Sequence, residues 1–182
     1  MALKSTILKC ELQIADMNRA YYATHALTIA RHPSETEERM MVRILAFALN
    51  ANDELTFTKG LSTDDEPALW QKTLSGEIEL WIDLGQMDEK RIRKACGRAS
   101  QVIVYTYNRR SADVWWQQNV SKLDRLKNLS VVHLAADISQ TLAQLAQKSM
   151  KLQCTIQDDQ VWFGNADESF QVSLDYRKRP ET

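Results

Sequence analysis

Acidic side chains cluster in a stretch of the chain that leads into a basic helix, and they are the residue types of a metal-dependent phosphodiesterase site. Asp64, Asp65 and Glu66 form an acidic turn, and Asp83 ends an alternating strand on its polar face. If the two segments are neighbours, Asp65 and Asp83 converge at one end of a sheet. Mg²⁺ needs few carboxylates, because waters and phosphate oxygens complete its shell. Such an ion would polarise a scissile phosphate and help to generate hydroxide.

The cations on the helix after Asp83 form a second candidate group. Lys90, Lys94 and Arg98 recur at helical spacing, and Arg91 lies one turn before Lys94. Lys94 is the nearest candidate to stabilise negative charge on a phosphate, and the whole line would serve as a phosphate-contacting ridge. The alternative is a solvated helix face whose cations suit the C-terminal end of the helix.

One further carboxylate stands out on an earlier helix. Glu38 lies one turn before Met41 and Val42, on the apolar stripe of that helix. A carboxylate that faces a core is costly unless it is paired or binds a metal. Glu38 is therefore either a third carboxylate of the site or the partner of a cation elsewhere in the fold.

The composition indicates a globular protein with no general attraction for polyanions. The formal net charge of the 182 residues is −1, so binding of nucleic acid requires a local basic patch. The three cysteines are scattered and form no CxxC pair, which favours buried thiols in a reduced, cytoplasmic protein. No apolar run suits a signal peptide or a membrane helix. GxGxxG, P-loop and GxSxG motifs are absent from the sequence, which argues against a nucleotide cofactor.

The predicted elements place these residues in a mixed α/β fold, in one domain over residues 1–182. An opening hairpin is predicted by alternating polar and apolar residues on both sides of a turn. A helix follows, with Ser34 as its expected N-cap and Glu37 completing a capping box. Strands and helices then alternate, which predicts right-handed crossovers in a partly parallel central sheet with flanking helices and antiparallel hairpins. The predicted strands span 3–15, 21–30, 55–59, 78–84, 101–107, 131–134, 152–157, 161–164 and 170–176, and the helices span 34–50, 88–97, 112–123 and 137–148.

Four runs of the chain resemble the YaeQ family of small bacterial proteins. These runs are ARHPSETEERMMVRILAFAL, GLSTDDEPALW, WIDLGQMDEKRIRKACGRA and WWQQN. The resemblance covers essentially the whole chain. It implies a variant of the PD-(D/E)XK nuclease-like fold.

The resemblance also implies which residues fill the nuclease motif. The three acids that would hold Mg²⁺ are Glu38, Asp65 and Asp83. The chain departs from the motif at Gly85, where the motif has lysine, and at Pro67, which follows the acids instead of preceding them. The resemblance therefore leaves Lys94 or Gln86 to assist at the phosphate.

Two functions remain open from the sequence. The first is a Mg²⁺-dependent nuclease or related phosphodiesterase, with Lys90, Arg91 and Arg98 contacting nucleic acid. The second is a non-catalytic binding or regulatory module that retains the scaffold and binds a protein partner. The missing lysine and the near-neutral charge favour the second. Both functions predict a cytoplasmic protein with no membrane association.

Overall fold

A computed structural model of the protein describes residues 4–58, 65–135 and 137–181. The chain forms two compact units. Unit 1 comprises residues 1–49 and 138–173, and unit 2 comprises residues 50–137 and 174–182. The predictions above that fall outside the described part are the first residue of the strand at 3–15, the last residue of the strand at 55–59 and the first five residues of the GLSTDDEPALW run, Asp64 among them. The single domain predicted over the whole chain stays a prediction.

Unit 1 contains a mixed five-stranded sheet with the strand order β10-β9-β8-β1-β2. Its first two strands form the predicted antiparallel hairpin. Alternate residues of β1 are buried, so one face of the strand enters the core. β8 pairs in parallel with β1 and continues into β9 and β10 through antiparallel pairs. The strands are β1 (Thr6–Asp16), β2 (Tyr21–Arg31), β8 (Ser149–Gln157), β9 (Gln160–Gly164) and β10 (Ser169–Val172).

The helices of unit 1 are α1 (Glu37–Asn50) and α4 (Ile138–Gln144). The start of α1 differs from the prediction, because the Thr36 hydroxyl accepts the backbone N–H of Arg39 at 3.0 Å and thereby caps the helix. Ser34 was expected in that role, but its hydroxyl instead contacts the imidazole of His32 at 2.6 Å. The expected cap was therefore wrong by two residues.

Unit 2 contains a six-stranded sheet with the order β11-β7-β6-β5-β4-β3. Its three central strands are parallel, which confirms the predicted parallel pairing in this part of the chain. Helices α2 and α3 pack on one face through a cluster that includes Trp81, Ile92, Val102 and Leu123. The elements are β3 (Leu55–Phe57), β4 (Leu69–Lys72), β5 (Ile78–Leu84), α2 (Glu89–Arg98), β6 (Ala99–Thr106), α3 (Arg109–Leu123), β7 (Leu129–Leu134) and β11 (Leu174–Lys178).

The mixed α/β class is confirmed, but the prediction of one central sheet is not. The described residues form two sheets and four helices. The strand predicted at 170–176 is divided at Ser173 into β10 and β11, which belong to different sheets. The alternation of polar and apolar residues does not reveal such a break, because it carries no information about which sheet a strand joins. No helix in the described part of the chain has the length and apolar character to span a membrane.

Candidate functional site

Asp83 is buried beneath helix α2 and fully engaged by neighbouring donors. Its residue exposure is 2%. Arg91 donates from Nε to Oδ2 at 3.1 Å and from Nη2 to Oδ1 at 3.2 Å, and the indole N–H of Trp81 donates to Oδ2 at 2.9 Å. This is the two-pronged arginine–carboxylate geometry that is strongest among charged hydrogen bonds. Asp83 therefore anchors the α2 helix to strand β5.

Gly85 ends β5 and turns the chain towards α2. Its φ is 92°, a conformation that favours glycine over residues with a Cβ. Asp88, the first residue of the predicted helix, then accepts the backbone N–H of Lys90 at 3.4 Å and caps the helix. This turn brings Arg91 back over the strand to reach Asp83.

Asp65 lies in a different environment from Asp83. Its side chain is 81% exposed, and its Oδ1 is 3.7 Å from Nζ of Lys94. The segment around it is held through its backbone, because Arg98 donates to the Asp65 carbonyl at 3.0 Å and Arg91 donates to the Glu66 carbonyl at 2.8 Å. Cations of α2 thus contact both predicted acids of unit 2.

A magnesium ion does not fit Asp83 in this arrangement. Both carboxylate oxygens already accept hydrogen bonds from Arg91, and that guanidinium would repel a cation bound to Asp83. Among the described residues, no group of three His, Cys, Asp or Glu side chains is placed to hold a metal ion. The magnesium assignment stays a prediction.

Two other predicted site residues have surroundings of their own. Glu38 belongs to unit 1, where it occupies the first turn of α1 and is half-buried. Gln86 belongs to unit 2, and its amide donates to the Tyr107 carbonyl at 2.8 Å and to the Ser111 hydroxyl at 3.1 Å. Gln86 therefore joins the end of β5 to the start of α3.

The predicted cations of α2 do come together, around a pocket of about 310 Å³. We call this pocket the α2 groove. Its lining residues are Trp81, Asp88, Lys90, Arg91, Lys94, Ala95 and Arg98. The guanidinium of Arg98 lies 5.2 Å from the centre of the Trp81 ring, and that of Arg91 lies 5.9 Å from it, within the range of cation–π attraction. The groove therefore combines four cations with an aromatic ring.

The charge balance of the groove is positive. Arg91 is matched by Asp83, and Asp88 is the one carboxylate among the residues that line the groove. Lys90, Lys94 and Arg98 remain, all exposed. The contact of Lys94 with Asp65 joins two side chains that are 68% and 81% exposed, so water screens it and its contribution is small. These three cations are accessible to an anionic ligand.

Sequence reasoning missed two residues at this site. Trp81 precedes Asp83 by two positions, so the period of a strand puts both on one face, and that spacing was the available signal. Glu66 has a buried carboxylate oxygen, Oε2, with no hydrogen-bond partner in the described part of the chain. No sequence pattern distinguishes Glu66 from its acidic neighbours.

The cysteines are not candidate nucleophiles. Cys10 and Cys154 are buried, Cys96 is half-buried, and none forms a disulfide within the described residues. Burial raises the pKa of Cys10 and of Cys154 to about 12 and that of Cys96 to about 11. The thiolate is the reactive form, so these thiols are poorly reactive at neutral pH.

Comparison with known proteins identifies the family. The family model of the YaeQ protein matches residues 1–174. The chain belongs to the YaeQ family. It is 46% identical to the YaeQ protein of Salmonella typhi and 45% identical to that of Escherichia coli K12, in each case over 99% of both chains. All of these relatives are bacterial.

Solved structures of the YaeQ family share the fold. The crystal structure of the protein from Xanthomonas axonopodis pv. citri has a TM-score of 0.93 and 45% sequence identity, over 97% of this chain and 99% of that one. The structure from Pseudomonas syringae has a TM-score of 0.91 and 35% identity, over 96% and 97%. The resemblance to the YaeQ family predicted from sequence runs is thus confirmed. The PD-(D/E)XK relationship stays a prediction.

Proposed function

We propose that the protein binds nucleic acid through the α2 groove and that this binding does not depend on a divalent metal. The observation that supports the proposal is that the cations of α2 differ in their surroundings. Arg91 satisfies the buried carboxylate of Asp83, whereas Lys90, Lys94 and Arg98 line an open pocket. The site therefore offers three cations to a ligand, whereas the carboxylate of Asp83 already accepts hydrogen bonds from Arg91.

The spacing of the cations suits a polyanion better than a single small anion. With a helical rise of about 1.5 Å per residue, Lys90 and Arg98 are separated by about 12 Å along the axis. One strand of duplex DNA carries a phosphate about every 3.4 Å of axis, so the line matches the length of about three to four phosphates. Contacts of this kind position a strand without reading its sequence.

The aromatic floor of the groove adds a second favourable term. Trp81 is almost fully buried, so it does not offer an open face for base stacking. Instead its ring lies beside the guanidinium groups of Arg91 and Arg98. A held arginine loses less side-chain entropy when it binds a phosphate. We therefore assign the ligand contacts to the phosphate backbone and not to the bases.

Fluorescence anisotropy of a labelled oligonucleotide tests the proposal. In EDTA, the wild-type protein should bind, and Lys90→Gln with Lys94→Gln should weaken binding by about tenfold, since each lost phosphate contact costs about 0.5–1 kcal/mol. Addition of Mg²⁺ at matched ionic strength should leave the affinity unchanged.

A matched control removes two lysines elsewhere. Lys148 and Lys151 are exposed in unit 1, and their double replacement by glutamine changes the net charge by the same amount. Equal losses in the two double variants would contradict the groove assignment. An absence of binding in the wild type would reject the proposal and favour the protein partner predicted from the sequence.

A second candidate function is the metal-dependent phosphodiesterase, and Glu66 is the observation that favours it. The unpartnered Oε2 of Glu66 belongs to a residue whose carbonyl accepts from Arg91. A carboxylate oxygen that is buried without a donor is costly, and a cation would satisfy it. For Asp83 to join such a site, Arg91 would have to release it.

Calorimetric titration with Mn²⁺ separates the two functions. The phosphodiesterase predicts binding that is lost in Asp65→Ala and Asp83→Ala, together with metal-dependent cleavage of an oligonucleotide. The groove proposal predicts neither. Metal binding that survives both substitutions would contradict the phosphodiesterase as assigned here.

A further inference from the structure

A second pocket of unit 2 lies at the carboxyl ends of the parallel strands β6 and β7. Its volume is about 510 Å³. Its lining includes Arg109, Asp113, Gln117, His133, Asp175 and Arg177. Ligands of open α/β sheets bind preferentially at this edge. We call it the His133 pocket, and none of its residues belongs to the α2 groove.

His133 is buried but has an unused polar atom. The residue is 3% exposed, and its Nδ1 is 2.9 Å from the Thr106 hydroxyl. Its other ring nitrogen, Nε2, has no hydrogen-bond partner among the described residues. Leaving a buried polar atom unpaired is unfavourable, so this atom marks a place where a ligand would be stabilised.

The hydrogen bond at Nδ1 of His133 determines whether Nε2 carries the imidazole proton. Thr106 is 2% exposed, and its hydroxyl makes one side-chain hydrogen bond in the described chain, the bond to His133. If the hydroxyl donates to Nδ1, its hydrogen is satisfied and the imidazole proton lies on Nε2. The other tautomer would leave the buried hydroxyl hydrogen without an acceptor. His133, which lines the pocket, therefore carries an Nε2–H donor that has no partner among the described residues.

Arg177 pairs with both carboxylates of the pocket, and its charge together with that of Arg109 balances theirs. Its Nη2 donates to Asp113 at 2.5 Å, and its Nε is 2.9 Å from Asp175. The β11–β7 register shifts at this point, between Tyr176 and Lys178, and such a bulge re-aims a side chain. The hydrogen bond from Arg177 also lowers the pKa of Asp113, which keeps that carboxylate charged.

Arg109 supplies the remaining cation. Its side chain is 73% exposed, and its Nε is 3.9 Å from Asp113, beyond hydrogen-bond distance. Arg109, Asp113 and Gln117 are spaced four residues apart on α3, so they share one face of that helix. Arg109 and Gln117 thus lie on the same pocket wall, and both line the pocket together with His133.

We propose that the His133 pocket binds a phosphate group, with His133 Nε2–H, Arg109 and the amide of Gln117 as its donors. A metal cation would leave Nε2–H unpaired, because a protonated ring nitrogen cannot act as a metal ligand. A phosphate has enough acceptor oxygens to serve three donors from two elements at once. The ligand class is inorganic phosphate or a phosphate monoester. The proposal does not depend on the α2 groove.

NMR titration of the His133 ring nitrogens with inorganic phosphate tests this site. The wild-type spectrum should show Nε2 protonated in the free protein, and Nε2 should shift saturably as phosphate is added. Arg109→Gln should weaken that response about tenfold, because it removes a hydrogen bond between a charged donor and the charged phosphate.

Arg110→Gln is the matched control, since it removes the same charge one residue along and lines a different pocket. It should leave the affinity within about twofold of wild type, because unpaired surface charges contribute little. Equal losses in the two variants, a free Nε2 without a proton, or no saturable shift in the wild type would each overturn the proposal. The variant Lys90→Gln with Lys94→Gln should retain the response, which separates this site from the groove.

The source of the phosphate is resolved by two further ligands. A 5′-phosphorylated dinucleotide and its 5′-hydroxyl form differ in one phosphate monoester. One outcome is that the phosphorylated form saturates the Nε2 shift at a lower concentration than inorganic phosphate does. If it does so, and if Arg109→Gln removes that difference in affinity, the ligand is a strand end or nucleotide. If inorganic phosphate alone saturates the response, the ligand is free phosphate.

Discussion

Glu35 in unit 1 and Asp83 in unit 2 are buried carboxylates that arginines satisfy in similar ways. Glu35 is 3% exposed and Asp83 is 2% exposed. Glu35 pairs with Arg39 on one oxygen and with Arg43 Nη2 on the other at 2.7 Å. Asp83 takes two hydrogen bonds from Arg91 and a third from the Trp81 indole. One of these acids was predicted to bind a metal and the other was not, yet their surroundings are alike.

The difference between the two pairs lies in the arginines. Arg43 is 3% exposed and also donates to the Ala30 carbonyl at 3.2 Å, so its pair connects β2 to α1 inside unit 1. Burial lowers the pKa of Arg43, and the charge of Glu35 opposes that shift. Arg91, whose side chain is 21% exposed, lies in the wall of the α2 groove. The comparison teaches that the role of a buried acid, structural or ligand-binding, can be assigned only when the cation that pairs with it is known.

Removal of either acid should produce the largest change in stability. Glu35→Ala should lower the free energy of unfolding by about 3–5 kcal/mol, because Arg43 would be left buried without its counter-charge. Asp83→Ala should cost somewhat less, since Arg91 can turn towards solvent. Urea denaturation measures both values. Asp65→Ala is the control and should change stability by less than about 0.5 kcal/mol.

An unchanged stability in Asp83→Ala would break the comparison. It would mean that the pair with Arg91 contributes nothing to the fold, and it would return Asp83 to the set of groups available for a ligand.

Replacement of Arg91 by lysine should produce a smaller change in stability and test the role of the forked guanidinium, which makes two parallel hydrogen bonds. Arg91→Lys keeps the charge but loses the two parallel hydrogen bonds to Asp83, so we expect a loss of about 1–2 kcal/mol in unfolding free energy. Arg98→Lys, on the same helix, should lose less than about 0.5 kcal/mol because its contacts are exposed. Equal losses in the two variants would show that the fork geometry does not matter.

The pH dependence of stability extends the comparison to another buried ionisable group, His133. Burial and the nearby charge of Arg177 lower the pKa of His133 below its usual 6.5, and Asp113 and Asp175 oppose the shift. The unfolded chain therefore binds a proton at higher pH than the folded chain does. Stability should be at its full value above pH 6.5 and should decline as the pH falls through the lowered pKa. His133→Gln should flatten this part of the profile, and an identical slope in that variant would contradict the assignment.

Thiol labelling gives the smallest effect and compares the two units directly. Burial holds the pKa of Cys10 and Cys154 in unit 1 at about 12 and that of Cys96 in unit 2 at about 11. Cys96 should therefore react first with a disulfide reagent, and the other two should react only as unit 1 opens. Mass spectrometry of the labelled peptides measures the order. Faster labelling of Cys10 than of Cys96 would contradict the burial pattern.

The sequence predicts elements whose contacts are local. The hairpin β1–β2 and the alternation from β5 to β7 follow from periodicity, because each strand pairs with the next one along the chain or with the one after a crossover helix. Asp88 is recognisable as a cap because its partner is two residues away. The pairing of β8 with β1 was not predictable, since it joins segments about 140 residues apart.

The candidate site shows the same limit. The line formed by Lys90, Lys94 and Arg98 follows from helical spacing, and the structure brings these side chains to one groove. The choice of Arg91 as the partner of Asp83 depends on where the helix returns over the strand, and helical spacing does not determine it. Burial of His133 beside Arg177 depends on strand pairing and on a bulge near the end of the chain.

The salt dependence of oligonucleotide affinity tests the central claim most directly. Three phosphate contacts in the α2 groove predict that log K falls against log salt concentration with a slope of about −2 to −3. In the variant Lys90→Gln with Lys94→Gln the slope should become shallower by about 2, because each lysine accounts for about one unit. Equal slopes for the wild type and the variant would contradict the claim that the α2 groove is where this protein binds nucleic acid.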